Sequence, residues 1–138
     1  MKKIVINLMI YLSILYSQDL TTYVLCEGNF GNANSSLWSF NNLPEEEING
    51  PIHWDENSNP LGDVGQSMTI NDDKLYIVMN NSHSIEVMNL SSGFASYDTT
   101  LNLANASPRY MTVKNNYGYL SCWNLNGILV IKLNSHEK

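Results

Sequence analysis

The chain has 138 residues, with 13 acids against 7 lysines and arginines and a net charge of −6. An acidic surplus with scattered cations is repelled by phosphate backbones, which excludes nucleic-acid binding. The only cysteines, Cys26 and Cys122, form no CxxC or CxxCH, which excludes zinc-ribbon and haem-attachment readings.

The chain opens with Lys2-Lys3 and an almost unbroken apolar run from Ile4 to Tyr16, with Ser17-Gln18 as the cleavage point. A positive flank and a short apolar core predict a secretory signal peptide over 1–17. An uncleaved anchor helix is the competing reading. Residues 18–138 then form one domain, exported to the periplasm, cell surface or medium, with no stable membrane span after cleavage.

Three units follow. The first, 22–54, carries strands at Tyr23–Cys26 and Leu37–Asn41 and a weaker one within Ile48–Trp54. Between and beyond them Asn42–Pro60 is irregular, and Glu45-Glu46-Glu47 reads as a solvated loop. The second unit, 66–103, predicts strands at 66–71, 74–80 and 84–90, with a fourth at 94–98 or 99–103. The third, 109–135, predicts strands at 109–114, 117–123 and 127–133 and lacks its last strand. The runs are more continuously apolar than alternating, as in sheets covered on both faces. The intervening turns are rich in Asn, Asp, Ser and Gly, residues that tolerate left-handed backbone.

The second and third units are copies. Residues 66–93 align without a gap on residues 109–136, 43 positions on. Met68/Met111, Thr69/Thr112, Tyr76/Tyr119, Asn81/Asn124, Ile85/Ile128, Val87/Val130, Leu90/Leu133 and Ser92/Ser135 are identical. The first unit is a partial copy that enters at its second strand: Tyr23 aligns with Tyr76 and Tyr119, and Leu37–Asn41 with Ile85–Asn89. A period of about 40–45 residues with several short strands per unit is the pattern of a β-propeller blade. The expected fold is all-β, a partial propeller of about two and a half four-stranded antiparallel blades. A small open solenoid is the structural alternative. Too few units are present to close a ring of about 4–8 blades, so an N-terminal fragment of a longer protein is expected. The two cysteines occupy equivalent places in the first and third units, with a whole unit between them, beyond disulfide reach, and are expected to be buried thiols.

Two stretches go further. Glu27-Gly28-Asn29-Phe30-Gly31 and Asn59-Pro60-Leu61-Gly62-Asp63-Val64-Gly65-Gln66 resemble the N-terminal blades of secreted bacterial YncE-like propellers with YVTN repeats, common in Bacteroidota. Ser107-Pro108-Arg109-Tyr110 and Tyr119-Leu120-Ser121-Cys122-Trp123 sit where that family reads Pro-Arg-Tyr and then Tyr-Val-Thr-Asp/Asn-Trp. Leu120-Ser121-Cys122 departs from that motif. The resemblance implies a seven-bladed ring. It also implies either an uncharacterised envelope protein or an accessory of corrinoid uptake through outer-membrane transporters.

No catalytic constellation is visible. His53, His83 and His136 have no histidine at their repeat equivalents and are expected at the surface. Asp72-Asp73 has Asn115-Asn116 as its counterpart and reads as a turn, not a calcium loop. The expectation is a non-catalytic binding module without cofactor or metal, recognising a small polar ligand or an envelope protein. The competing readings are a structural surface-layer module without a site and the remnant of a propeller enzyme. The repeat phase gathers candidate ligand-binding residues on one rim: Glu27, Asn29, Gln66, Asn80, Asn81, Arg109, Trp123 and Asn124. Hydrogen-bonding groups, one cation and one aromatic suit such a ligand.

Overall fold

The computed structural model describes residues 21–41, 47–53, 59–90 and 94–133. The expected signal peptide, Trp54 and His136 lie outside the described residues. Within them are ten strands: β1 Thr21–Cys26, β2 Ser36–Asn41, β3 Glu47–Asn49, β4 Gly65–Asn71, β5 Lys74–Met79, β6 Ser84–Asn89, β7 Ser96–Asn102, β8 Pro108–Lys114, β9 Tyr117–Cys122 and β10 Ile128–Lys132. They form three antiparallel meanders in chain order, β1-β2-β3, β4-β5-β6-β7 and β8-β9-β10.

The repeat in the sequence is a repeat in register. Tyr76 pairs with Thr69 and Val87, and Tyr119 pairs with Thr112 and Val130, each partner 43 positions on. Tyr23 opposite Ser39 and Cys26 opposite Ser36 repeat the same pairing in the first sheet. The β4–β5 and β8–β9 ladders even share their irregularity, skipping Gln66 in one and Arg109 in the other. The turns after β4 and β8 place Asp72 and Asn115 at φ of 54° and 50°, the left-handed region that short polar side chains accept.

Side-chain alternation decides which way each sheet faces. From the middle sheet Leu75, Ile77, Met79 and Met88 pack backward on Tyr23, Leu25 and Leu37 of the first. Its other face, with Tyr76, Val78, Ile85 and Val87, packs forward on Met111, Leu120 and Ile131 of the third. Only this middle sheet is buried through successive residues, over Leu75–Met79 and Ser84–Met88. The flanking strands β1 and β9 alternate between covered and open positions. Continuous burial, expected for all three sheets, therefore holds where a neighbour lies on both sides. The first and middle sheets meet closely at Gly65, where a Cβ would sit 2.8 Å from Leu25 Cδ1.

The structure refines several other expectations. The fourth strand of the middle unit is one strand, Ser96–Asn102, spanning both candidate segments. It carries a bulge between the partners of Val87 and Met88 that leaves Asp98 unpaired in the ladder. Asp98 instead meets the Lys74 ammonium at 2.7 Å. Both cysteines are free, but Cys26 is exposed and Cys122 only half-buried. Cys26 aligns with the fully buried Met79, yet among the described residues no sheet packs on its face of the first sheet. His53 is buried, 4% exposed, where a surface histidine was expected.

Burial raises the Tyr76 hydroxyl above its ordinary pKa of 10.0, and the carboxylates of Asp73, Asp98 and Asp72 add to the shift. A folded-state pKa above the unfolded value means that the neutral phenol supports the fold below pH 10. That support is lost as pH rises through the folded value. Denaturant titrations across the alkaline range should show stability falling above pH 10, and Tyr76→Phe should flatten that fall while changing little at neutral pH.

Candidate functional site: the rim at the β5–β6 and β9–β10 turns

The ends of β1, β5 and β9 and the starts of β4 and β8 open on one rim, and most of its polar groups are engaged in holding sheets together. Asp63 is the centre of one latch. Its carboxylate accepts the Gly31 amide at 2.9 Å and the Asn81 side-chain amide at 2.6 Å, while its own amide donates to Ser82 Oγ at 2.8 Å. Ser35 makes the second tie, donating to the Glu27 carbonyl and accepting the Gly65 amide at 2.8 Å. Between the middle and third sheets the ties are Asn80 Nδ2 to the Pro108 carbonyl at 2.9 Å and the Ser107 amide to His83 Nδ1 at 3.0 Å. Asn124 Nδ2 donates to the Asn105 carbonyl at 3.0 Å, tying the β9–β10 turn to the loop between β7 and β8. The Asn29 amide is taken by Asn34 Oδ1 at 2.7 Å, closing a turn.

Of the eight rim residues the sequence singles out, Asn80, Asn81 and Asn124 thus have their amides committed to structure. Glu27 and Asn29 are exposed, with their backbones engaged in the Ser35 tie and the Asn34 turn. Gln66 is half-buried, with its Oε1 buried and unpartnered. Arg109 and Trp123 are brought together. The guanidinium lies 4.0 Å from the centroid of the Trp123 ring and 6.0 Å from that of Tyr110. Trp123 is 67% exposed. Planar guanidinium over indole is a cation–π stack worth about 0.5–1 kcal/mol at an exposed site.

The local cause is the shared bulge. Arg109 is the extra residue of β8, and a bulge re-aims the side chain it carries. One unit earlier the same two places hold Gln66 and Asn80, and Asn80 ties the middle sheet to the third. Trp123 in place of that asparagine removes the latch donor and presents an aromatic instead. Chemically the pair offers a flat apolar face and a fixed cation, suited to stacking and to pairing with an anionic or hydrogen-bond-accepting group.

A second cluster escaped the sequence reading. His53 and Tyr97 meet edge to face, with ring centroids 5.4 Å apart, and His53 Nε2 lies 3.5 Å from Glu86 Oε2. Buried Glu86 accepts Ser84 Oγ at 3.0 Å and Thr100 Oγ1 at 2.5 Å, and the Tyr97 hydroxyl lies 3.1 Å from Thr100. Among the described residues neither His53 nitrogen has a hydrogen-bond partner. His53 borders both a cavity of about 440 Å³, lined also by Asn34, Ser35, Leu37, Pro51 and Leu61, and one of about 180 Å³ lined also by Glu86, Tyr97 and Thr100. The signal was present in the sequence: Glu86 is an acid inside the apolar run of β6, where the next unit has Leu129.

A model for a domain of unknown function, DUF5074, matches residues 21–138, and the chain belongs to that family. No curated protein matches it in sequence.

Removing the Asp63 carboxylate deletes charge-assisted bonds to two partners and leaves the Gly31 amide without its acceptor. Asp63→Ala should cost about 1.5–3 kcal/mol in urea unfolding. Asn124→Ala, which removes one exposed tie to the loop before β8, should cost less than half of that.

Proposed function

We propose that the chain is a non-catalytic recognition module of an exported, propeller-type envelope protein, with the Arg109–Trp123 stack as the centre of its binding rim. The propeller reading is supported by the three register-matched meanders stacked face to face. The first strands of the two later sheets lie side by side, joined by Ser67 Oγ to the Arg109 carbonyl and Thr69 Oγ1 to the Met111 carbonyl, both at 2.8 Å. Export is supported by the Lys-Lys and apolar start, and the YncE-like resemblance fits the same picture. Among the described residues no helix is long and apolar enough to cross a membrane.

The observation that carries the binding reading is the exposed Trp123 held under Arg109. A large aromatic normally faces a neighbouring sheet in such a stack. Here it stands on the rim, oriented by a cation and followed in the chain by the exposed Asn124. Aromatic and arginine side chains dominate binding hot spots because they bring area and directed polar contacts at small entropic cost. The ligand class that fits is a small polar molecule with a flat or apolar face, or a loop of an envelope protein with those features.

Calorimetry of the purified chain against glycans and corrinoids tests this. Trp123→Ala should remove at least about 2 kcal/mol of binding, with stability lowered by no more than about 1 kcal/mol, the worth of the exposed stack. Binding untouched by Trp123→Ala and Arg109→Ala together would contradict the reading.

A further inference from the structure

Between the first and middle sheets the chain buries a carboxylate without a matching cation. Glu86 is 5% exposed, and among the described residues no lysine or arginine pairs with it. Its oxygens accept Ser84 Oγ and Thr100 Oγ1, and the Tyr97 hydroxyl meets Thr100, so the nearby hydroxyls are already engaged. The remaining neighbour is His53, whose Nε2 stands 3.5 Å from Glu86 Oε2, too far for a normal hydrogen bond. Both ring nitrogens are buried and, among the described residues, without a hydrogen-bond partner. Polar groups buried in that way cost free energy, and native structures seldom keep them without a reason. The group lies inside the stack, bounded by His53, the loop before β4, β6 and β7, and not on either of its outer faces.

The space beside these groups fits what they lack. Glu86, His53, Tyr97 and Thr100 border the cavity of about 180 Å³, which has room for a small polar head group. His53, Pro60 and Leu61 border this cavity and also the one of about 440 Å³, whose other walls include Ala33, Leu37 and Pro51. Water in the smaller cavity would satisfy hydrogen bonds but leave the carboxylate charge unmatched where the dielectric is low. Among the described residues no three His, Cys, Asp or Glu side chains converge, which is too few ligands for a metal ion. A primary ammonium supplies both the charge and the donors. One nitrogen about 2.8–3.0 Å from each partner would bridge Glu86 Oε2 and an imidazole nitrogen in its acceptor form. Its carbon substituent would then extend past His53 and Leu61 into the larger, more apolar space.

We propose that this pocket binds a primary amine with an apolar body, the ammonium held between Glu86 and His53 and the carbon skeleton in the larger cavity. It is a second site, built from other residues than the Arg109–Trp123 rim, and it does not rest on the rim's ligand.

Calorimetry of the full chain with benzylammonium, benzyl alcohol and benzyltrimethylammonium tests it. Benzylammonium should bind saturably in the millimolar range. The alcohol lacks the charge and the quaternary ion lacks the N–H donors, so each should bind at least about tenfold more weakly. Glu86→Gln keeps the shape and removes the charge, and should weaken benzylammonium at least about tenfold while leaving benzyl alcohol unchanged. His53→Phe keeps a ring and removes the nitrogens. Because those have no hydrogen-bond partner in the free chain, its melt should not fall below the parent's, while benzylammonium binding drops several-fold. That variant carries the test if Glu86→Gln does not fold. No saturable benzylammonium binding, equal binding of the three probes, or undiminished binding in either folded variant would overturn the proposal. So would a His53→Phe melt well below the parent's, which would mark the nitrogens as structural.

Discussion

The middle sheet is apolar on both faces, and that constraint organises the rest of the molecule. Leu75, Ile77 and Met79 point one way from β5 while Tyr76 and Val78 point the other, and all five are buried. No two-layer arrangement would cover both sets, so the sheet is stable only between two others. Burying such side chains is worth about 1.5–3 kcal/mol each, and among the described residues β5 and β6 carry a larger share of them than any other pair of strands. Among the described residues the first and third sheets are covered on one face only, and β1 and β9 alternate accordingly.

Stacking sheets brings their ends together, and the polar residues of the rim resolve what that leaves unsatisfied. Loop amides at Gly31, Gly65 and Ser107 would lose water as the sheets close, and Asp63, Ser35 and His83 accept them. Most asparagines of the rim belong to this bracing. Chemistry is then found where a unit departs from the bracing pattern. Trp123 stands in for the latch residue Asn80, Arg109 replaces Gln66 on the shared bulge, and Glu86 occupies an apolar position beneath His53. Each exchanges a structural group for one with binding potential.

Strand order, turn positions and register were legible because the gapless 43-residue offset preserves the side-chain phase. A slip of one residue would have turned Tyr76, Tyr119 and Tyr23 to different faces. Burial was legible only where the neighbour was included: Cys26 reads as buried by analogy with Met79, yet it lies on an end face. His53 was not legible, because it falls in an irregular segment without a repeat partner, and its burial depends on Pro60 and Leu61 of the loop before β4 and on Tyr97 of β7. The rim residues were placed at the right end of the sheets. Which amides were free depended on partners such as Asp63 and Pro108, whose loop positions no periodicity encodes.

Native-state hydrogen exchange tests the dependence on the middle sheet most directly. Amides of Leu75–Met79 and Ile85–Met88 should exchange only through global opening, with the highest protection in the chain. Those of β1 and β10 should exchange through smaller, local openings. Protection of β1 or β10 equal to or above that of β5 would contradict the account, because an outer sheet would then stand without relying on the one that both outer sheets enclose.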